Sequence, residues 1–265
     1  MPDYPDQTGR TITLRSLPKR IISLVPSQTE LLHFLGLNDE VIGITKFCIH
    51  PKEWFQSKPR IGGTKQLNMD AIRQLQPDLI IANKEENLKE QVEELARDYP
   101  VWISDVNDLS TAFDMIASVG GITGKKEEAA ALINTLKKNF SGLAPLTGPI
   151  ESRSACYLIW RNPYMTIGGD TFIHSMLEIA GFDNVYKSFT RYPEIAIDEL
   201  KQSNCKFLFL SSEPFPFKQK HIEELQKELP NFIILLVDGE MFSWYGSRML
   251  KASGYFAKLR ELARL

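Results

Sequence analysis

Several hallmarks of enzymes and nucleic-acid-binding proteins are missing from this sequence. It has no GxGxxG or GxxxxGK[ST] motif, which excludes the usual glycine-rich cradles for dinucleotides and nucleoside triphosphates. Its formal net charge of -2 gives no broad basic surface for nucleic acid or an anionic bilayer. The 3 cysteines include no CxxC pair, and the 4 histidines form no HxH, HxxxH or HExxH pattern. We therefore expect no nucleic-acid partner, no protein-held metal and no cofactor.

Export and membrane signals are also missing. The start MPDYPDQTGRTITL lacks the basic and apolar stretches of a signal peptide, and no later run is long enough for a transmembrane helix. The chain as printed predicts a soluble protein that is not exported, although a signal removed from the natural protein would give the same sequence.

Short apolar runs alternate with helix-like segments throughout the chain. They lack the period-two alternation of half-buried strands, which favours parallel sheets covered on both faces by helices. The first series comprises Arg20–Val25, Val41–Thr45, Asp78–Asn83 and Val101–Ser104, and the second comprises Ala155–Trp160, Phe207–Ser212 and Phe232–Val237. The pattern predicts an α/β protein with two Rossmann-like lobes.

A run of strong helix formers separates the two series. It extends from Lys125 to Ser141 and is followed by Gly142 and Pro145, which are typical of a helix end. We expect one long rigid helix to join the lobes, with slight closure of a cleft between them. The predicted boundaries are an N-terminal lobe at 1–109, a helical connector at 110–148 and a C-terminal lobe at 149–265.

The two halves resemble each other in sequence. Asp70 and Asp198 precede the runs LIIA and FLFL at the same separation, and LLHFLGLNDEVIG and MLEIAGFDNVYK share a helix, a glycine and a turn into a strand. Two matches in the same order indicate an internal pseudo-repeat.

The segment SLVPSQTELL changes abruptly from strand to helix. Pro26 ends the strand, and Ser27 with Glu30 fits a capping box, in which each side chain bonds the other residue's backbone N–H. This places a helix start at the carboxyl edge of a strand, where open α/β sheets usually bind ligands. A well-capped helix without a ligand is the simpler alternative.

Aromatic residues are concentrated in two loops of the second half. One loop holds Trp160, Arg161, Tyr164 and Met165, and the other is GEMFSWYGSR. Large rings in surface loops indicate contact with a broad, partly apolar ligand, and arginines suit its anionic groups. Packing of single rings inside a lobe is the alternative.

The chain resembles the class III, helical-backbone substrate-binding proteins of ABC importers, a family that includes receptors for vitamin B12, ferric siderophores and haem. The resemblance rests on RIISLVPSQTELL, VIGITKFCIHP, RIGGTKQLNMDAIRQLQPDLIIA and IGGDTFIHSMLEIAGFDNVYK, and the pattern is most similar to that of the cobalamin receptors. It implies a binding protein, not an enzyme, that captures a metal chelate between the lobes and delivers it to a membrane permease. It also implies a periplasmic or cell-surface location, and we expect a monomer.

The resemblance also implies roles for particular residues. The ligand-contacting candidates are Pro26, Ser27, Phe47, His50, Lys65, Trp160, Arg161, Tyr164, Phe242, Trp244, Tyr245 and Arg248. His50 is a candidate axial ligand to the metal of a bound chelate. Lys65 stands where the cobalamin receptors have an aromatic residue, which favours an anionic chelate over cobalamin. Asp70 and Asp198 match the acids that dock on a two-fold permease, although a carboxylate at a helix start also has a purely structural explanation.

Two other functions fit the same pattern. A chelatase-like enzyme would use His50, Cys48 and Glu240, although no GxSxG motif or convincing carboxylate pair supports catalysis. A cytoplasmic corrinoid or haem sensor or chaperone would explain the missing export signal. The sequence leaves the identity of the chelate open among a corrinoid, a siderophore and haem.

Overall fold

The structure is a computed structural model that describes residues 2–143 and 153–263. The chain divides into two compact units. Unit 1 contains the residues through Val106 together with Ser110–Leu136 and Tyr245–Arg248. Unit 2 contains Asn107–Leu109, Lys137–Trp244 and the residues from Met249 onward.

Unit 1 alternates short strands with helices. In chain order its elements are β1 (Asp3–Pro5), β2 (Thr11–Thr13), β3 (Ile21–Ser23), α1 (Pro26–Phe34), β4 (Val41–Ile44), α2 (Lys52–Ser57), β5 (Gly62–Gly63), β6 (Gln66–Leu67), α3 (Met69–Leu75), β7 (Leu79–Asn83), α4 (Lys89–Leu95), β8 (Val101–Ser104), most of α5 (Leu109–Thr123) and the first part of α6 (Lys126–Ser141). Strands β4, β3, β7 and β8 lie side by side in that order and are all parallel. Every residue of β3, β7 and β8 is buried, as expected for a parallel sheet covered on both faces.

Unit 2 contains the rest of α6 and a second series of elements. These are β9 (Ser154–Leu158), β10 (Tyr164–Met165), α7 (Phe172–Ile179), β11 (Asp183–Asn184), β12 (Glu194–Ile195), α8 (Ile197–Gln202), β13 (Phe207–Ser211), α9 (Gln219–Glu228), β14 (Ile233–Val237), α10 (Glu240–Ser243) and α11 (Met249–Leu262). The parallel sheet has the order β11-β9-β13-β14. This order repeats that of unit 1 when strands are matched by their position along the chain. The predicted α/β fold with two parallel sheets is confirmed.

The edge strands β8 of unit 1 and β14 of unit 2 differ in what covers them. In unit 1, the β1–β2 hairpin lies against β8: the backbone N–H of Gln7 donates to Ile103 O (3.0 Å), and Trp102 Nε1 donates to Pro5 O (3.1 Å). In unit 2, β14 leaves Ile233 39% and Leu236 41% exposed. This hairpin was not predicted from the sequence, because its strands are only 3 residues long.

Packing divides the chain differently from the predicted ranges of 1–109, 110–148 and 149–265. The predicted connector is not a separate unit, because its residues 110–136 belong to unit 1. Residues 245–248, predicted to belong to the C-terminal lobe, also pack in unit 1. Helix α6 ends at Ser141 as expected, while Pro145 and the rest of the predicted connector end lie outside the described residues.

Membrane-spanning helices can be judged for most of the chain. Within residues 2–143 and 153–263, none of the helices combines the length and hydropathy that crossing a bilayer requires.

Candidate functional site

The carboxyl end of β3 leads directly into α1. Val25 is the N-cap in an extended conformation and Pro26 is the first helical residue, where its missing N–H is not needed. The capping box predicted for Ser27 and Glu30 is wrong, since no side-chain cap is formed and the Glu30 carboxylate binds an arginine. Ser27 is buried, and Pro26 is partly exposed.

A buried polar network follows the strand ends of unit 1. Gln28 Nε2 donates to Ser104 Oγ (2.5 Å), and the Asn83 amide donates to the same oxygen (3.0 Å). Asn87 accepts from the backbone N–H of Asn83 (2.9 Å) and donates to Thr64 O (3.0 Å). The network therefore ties the turn between β5 and β6 to the ends of β7 and β8.

The turn between β5 and β6 lies beside an exposed ring. Phe47 is 50% exposed, and Lys46 Nζ lies 5.1 Å from its ring centroid. A Cβ atom on Gly63 would lie 3.2 Å from the Phe47 ring, so glycine permits this close approach. Lys65 is exposed and its Nζ donates to Glu85 O (2.5 Å). An apolar ring and a cation thus share one exposed part of unit 1.

His50 lies in the loop after β4 and is partly exposed. Its role as an axial ligand stays a prediction. Among the described residues, no group of three or more His, Cys, Asp or Glu side chains is placed to hold a metal ion.

Arg248 was predicted to contact a ligand, but the structure gives its charge another partner. Its Nε and Nη2 atoms lie 2.9 and 2.8 Å from the two carboxylate oxygens of Glu30. The Nε contact is a hydrogen bond and the Nη2 contact is an ion pair, and the Arg248 side chain is only 6% exposed, so little of the guanidinium is accessible to a ligand. This internal ion pair helps to hold residues 245–248 in unit 1, and a ligand contact of Arg248 stays a prediction that its burial does not support.

Tyr245 is buried in the same segment. Burial raises the pKa of its hydroxyl, and hydrogen bonding with Ser27 and Ser104 opposes this shift. A buried phenol surrounded by unit 1 residues has a packing role, so the predicted ligand contact of Tyr245 is not supported by its exposure.

The carboxyl end of β9 in unit 2 presents an exposed aromatic residue. Trp160 is 39% exposed and packs edge to face against Phe215, with ring centroids 5.9 Å apart. Next to it, Arg161 Nη2 lies 2.7 Å from Glu224 Oε2. Tyr164, in β10, is partly buried against the hydrophobic cluster of unit 2. Trp160 and Arg161 therefore remain the accessible ligand candidates of this unit.

The remaining predicted aromatic residues of unit 2 are buried. Phe242 is fully buried and packs against Tyr157 (centroids 5.1 Å apart) and Phe256 (4.9 Å). Its burial does not support the predicted ligand contact of Phe242, because a ring inside the core has no accessible face. Trp244 is 7% exposed, and its Nε1 donates to Glu213 Oε1 (2.9 Å).

Glu213 and Phe215 were missed by the sequence analysis. Both lie in the segment SSEPFPF, directly after β13, and this position after a buried strand was the signal that could have found them. Glu213 accepts from Ser243 Oγ (2.5 Å) as well as from Trp244. Burial raises the pKa of Glu213, the neighbouring charges of Glu240 and Asp238 add to the shift, and the hydrogen bonds oppose it.

The GGD turn before α7 has a packing role. A Cβ atom on Gly168 would lie 2.4 Å from Phe189 O, and one on Gly169 would lie 2.2 Å from Lys187 O. Glycine is required at both positions because backbone atoms cannot move aside as a flexible side chain would.

Asp70 and Asp198 occupy equivalent positions in the two units. Each is the second residue of its helix, α3 or α8, and the side chains are 88% and 83% exposed. Each aspartate pairs with a cation of its own helix, Asp70 with Arg73 (3.5 Å) and Asp198 with Lys201 (3.0 Å). The same cations also contact Glu94 and Glu228, and the two aspartate side chains remain largely exposed. Both aspartates are therefore accessible to a partner.

The thiol proposed for a catalytic alternative is unsuited to nucleophilic attack. Cys48 is fully buried, and burial raises the pKa of the thiol despite hydrogen bonds with Thr29 and Thr45. A reactive cysteine needs a lowered pKa and access to substrate.

Comparison with known proteins extends these observations. A family model described as "Periplasmic binding protein" matches residues 21–234. An uncharacterized ABC transporter substrate-binding lipoprotein, YvrC, of Bacillus subtilis is 26% identical over 75% of this chain and 65% of its own length. The chain thus spans just under two thirds of that relative.

Two further proteins are similar. The vitamin B12-binding protein of Vibrio parahaemolyticus is 22% identical over 76% of this chain and 74% of its own length. The structure of the periplasmic heme-binding protein RhuT from Roseiflexus superimposes with a TM-score of 0.76 at 19% identity, covering 92% of this chain and 99% of the other. At this identity the structural match establishes the fold.

Proposed function

This chain belongs to the periplasmic binding protein family, and from that membership we propose that it is the substrate-binding component of an ABC importer for a metal chelate. The protein captures the chelate without covalent chemistry and delivers it to a membrane permease. It acts outside the cytoplasmic membrane, in the periplasm or at the cell surface. The name of the B. subtilis relative supports the transport role.

The exposed Trp160 beside Arg161 is the observation that carries this proposal. A large ring left 39% exposed at the carboxyl end of a parallel strand occupies the usual ligand edge of an α/β sheet. The adjacent guanidinium suits an anionic group on the ligand. Phe47 and Lys65 provide the same combination of an exposed aromatic ring and a cation in unit 1.

The ligand class is proposed as a metal chelate with a broad apolar face: a corrinoid, a haem or a ferric siderophore. The similar proteins named above bind vitamin B12 and haem, which supports this range. His50 remains a proposed axial ligand to the chelated metal.

Titration tests the proposal. The purified protein is titrated with cyanocobalamin, haemin and a panel of ferric siderophores, and binding is followed by Trp fluorescence and calorimetry. We expect one of these chelates to bind at micromolar or lower concentration. Trp160→Ala should weaken the binding free energy of that ligand by about 1 to 3 kcal/mol if the ring is a main contact. Absence of binding by every chelate would reject the proposed ligand class.

Unit 1 offers a matched pair of exposed rings for the same experiment. Phe47 and Phe34 are 50% and 47% exposed, but only Phe47 lies beside the β5–β6 turn. Phe47→Ala should weaken ligand binding, whereas Phe34→Ala should leave it unchanged. Equal effects of the two substitutions on ligand affinity would show that Phe47 does not contact the ligand.

We propose that Asp70 and Asp198 dock on basic side chains of a two-fold permease. Charge reversal at both positions should abolish delivery in a transport assay with the ligand's permease, while ligand affinity stays unchanged. The exposed acids Asp39 and Glu223 provide a control with the same change in net charge. A loss of ligand affinity, or equal loss of transport in the control, would contradict the docking role.

A further inference from the structure

The turn after β13 forms part of the ligand edge of unit 2. Its Phe215 N–H donates to Ile159 O (3.2 Å), which joins the turn to the end of β9 just before Trp160. The two strands also pair in register, with Leu210 opposite Leu158. The position of Phe215 beside Trp160 is therefore fixed by the backbone.

The two rings meet almost at a right angle. The Trp160 and Phe215 planes are inclined by 72°, and Trp160 is exposed while Phe215 is partly buried. Two rings in this arrangement form a corner, so a flat ligand can lie against one ring while its rim contacts the other. A ligand without a flat conjugated face would not use both rings in this way.

Two buried rings pack against Phe215. Phe215 packs against Phe217 (centroids 4.7 Å apart) and His221 (5.5 Å), which are 5% and 4% exposed. His221 Nδ1 accepts from the backbone N–H of Lys218 (2.8 Å). A ring supported on several sides loses little conformational freedom when a ligand binds, which favours recognition.

The cation next to the corner is also held in place. Arg161 follows Trp160 in the chain, and Glu224 on α9 binds its Nη2 atom at 2.7 Å. The Arg161 side chain remains 26% exposed. Because the salt bridge limits the rotamers of a long side chain, the guanidinium is held against α9, the helix whose His221 packs against Phe215.

We propose that Phe215 is a ligand-contacting residue that, with Trp160 and Arg161, selects a flat conjugated macrocycle carrying carboxylates at its rim, and that Glu224 is the positioning residue for Arg161. The inference rests on the proposed function, within which it chooses a ligand class. Flat rings fit the corner, and rim carboxylates complement Arg161. A corrinoid with neutral amides at its rim would not use this cation.

Equilibrium titrations with haemin, haemin dimethyl ester and cyanocobalamin test the ligand class. We expect the wild-type protein to bind haemin most tightly, because only haemin combines a flat ring with free carboxylates. Tighter binding of cyanocobalamin, or equal affinity for haemin and its ester, would overturn the selection of an anionic macrocycle. If none of the chelates in the wider panel binds, the proposed function itself fails.

Phe215 is tested against a matched exposed ring of the same unit. Phe215→Ala should weaken haemin binding about tenfold, whereas Phe189→Ala, which removes a ring that is 52% exposed, should change it less than about twofold. Phe215→Leu keeps apolar volume and serves as the second variant if alanine impairs folding. An unchanged affinity in a folded Phe215 variant, with Trp160→Ala still defective, would reject Phe215 while the proposed function stands.

Glu224 is tested through the charge of the ligand. Glu224→Gln frees Arg161 from its fixed position and should weaken haemin binding severalfold, while the affinity for haemin dimethyl ester stays the same. Glu223→Gln, a neighbouring exposed position, should affect neither ligand. An equal loss for both ligands would indicate a structural role of Glu224 and overturn its assignment.

Discussion

The two units have the same order of parallel strands but different carboxyl ends. In unit 1, the strand ends Ser23, Asn83 and Ser104 are buried and take part in a hydrogen-bonded network. In unit 2, the corresponding region presents Trp160 and the turn that contains Phe215. Two sheets with the same strand order can therefore carry different functional side chains. The residues after each strand are free to vary, while the buried strands must stay apolar.

The edge strands differ in a similar way. The N-terminal hairpin covers β8, whereas β14 keeps two exposed aliphatic side chains. Unit 1 also holds residues 245–248 through the pair of Arg248 with Glu30. We thus expect substitutions at the hydrogen-bonded strand ends and at the Arg248–Glu30 pair of unit 1 to act mainly on stability, and substitutions of Trp160 and Phe215 in unit 2 to act mainly on binding.

The largest effect is expected for Arg248→Ala. The change leaves the Glu30 carboxylate, whose side chain is only 18% exposed, without its partner, so the free energy of unfolding should fall by about 3 to 5 kcal/mol. Chemical denaturation provides the measurement. The double variant Arg248→Met with Glu30→Gln should recover part of the loss. If Arg248→Ala weakened ligand binding without loss of stability, the original assignment of Arg248 to the ligand site would be restored.

A smaller loss is expected for Asn87→Ala. The substitution removes hydrogen bonds to Thr64 O and to the backbone N–H of Asn83, both of which belong to buried residues. Leaving these groups unsatisfied should cost about 1 to 3 kcal/mol of unfolding free energy. Asn134→Ala, at an exposed position of α6, is the control and should be nearly neutral. Equal effects would mean that the polar network does not stabilise unit 1.

The buried carboxyl group of Glu213 should make the stability of unit 2 depend on pH. Its pKa is raised above 4.5 by burial, so ionisation costs more in the folded than in the unfolded protein. Its contribution to stability is complete below the unfolded pKa and is lost as the pH rises through the folded pKa. Glu213→Gln should therefore flatten the decline in Tm above about pH 4.5, which thermal unfolding at several pH values measures. Curves that stay parallel for wild type, Glu213→Gln and the exposed control Glu223→Gln would contradict this expectation.

The smallest effect on stability is expected at the exposed edge strand of unit 2. Leu236 is 41% exposed, so Leu236→Lys should change the free energy of unfolding by no more than about 0.5 kcal/mol. The added charge should lower self-association at high concentration, as light scattering would detect. The matched Ile103→Lys in β8, at 7% exposure, should be strongly destabilising. A large loss from Leu236→Lys would show that β14 is not a free edge.

The sequence predicted the strands well because their signal is local. Runs such as Asp78–Asn83 and Phe207–Ser212 are apolar without alternation, and they fold as the buried strands β7 and β13. A helix start directly after the run Arg20–Val25 was also predicted, with Ser27 as its cap, but α1 begins at Pro26 and the capping box is not formed. The short hairpin β1–β2 carried no comparable pattern and depends on contacts with β8.

The site was predicted less completely, since exposure and charge pairing depend on distant residues. Trp160 and Phe242 look alike in sequence, as aromatic residues in loops, but one is 39% exposed and the other is fully buried. Phe215 was overlooked because its contact with Trp160 joins residues far apart in the chain.

The sequence by itself determined the α/β class and the repeated order of elements, because hydrophobic patterns and turn residues act over short distances. Only the tertiary structure decided that Arg248 neutralises Glu30, that Phe242 belongs to the core and that Phe215 stands beside Trp160. These outcomes depend on which side chains meet across the fold, and burial and pairing then fix which groups remain free to bind.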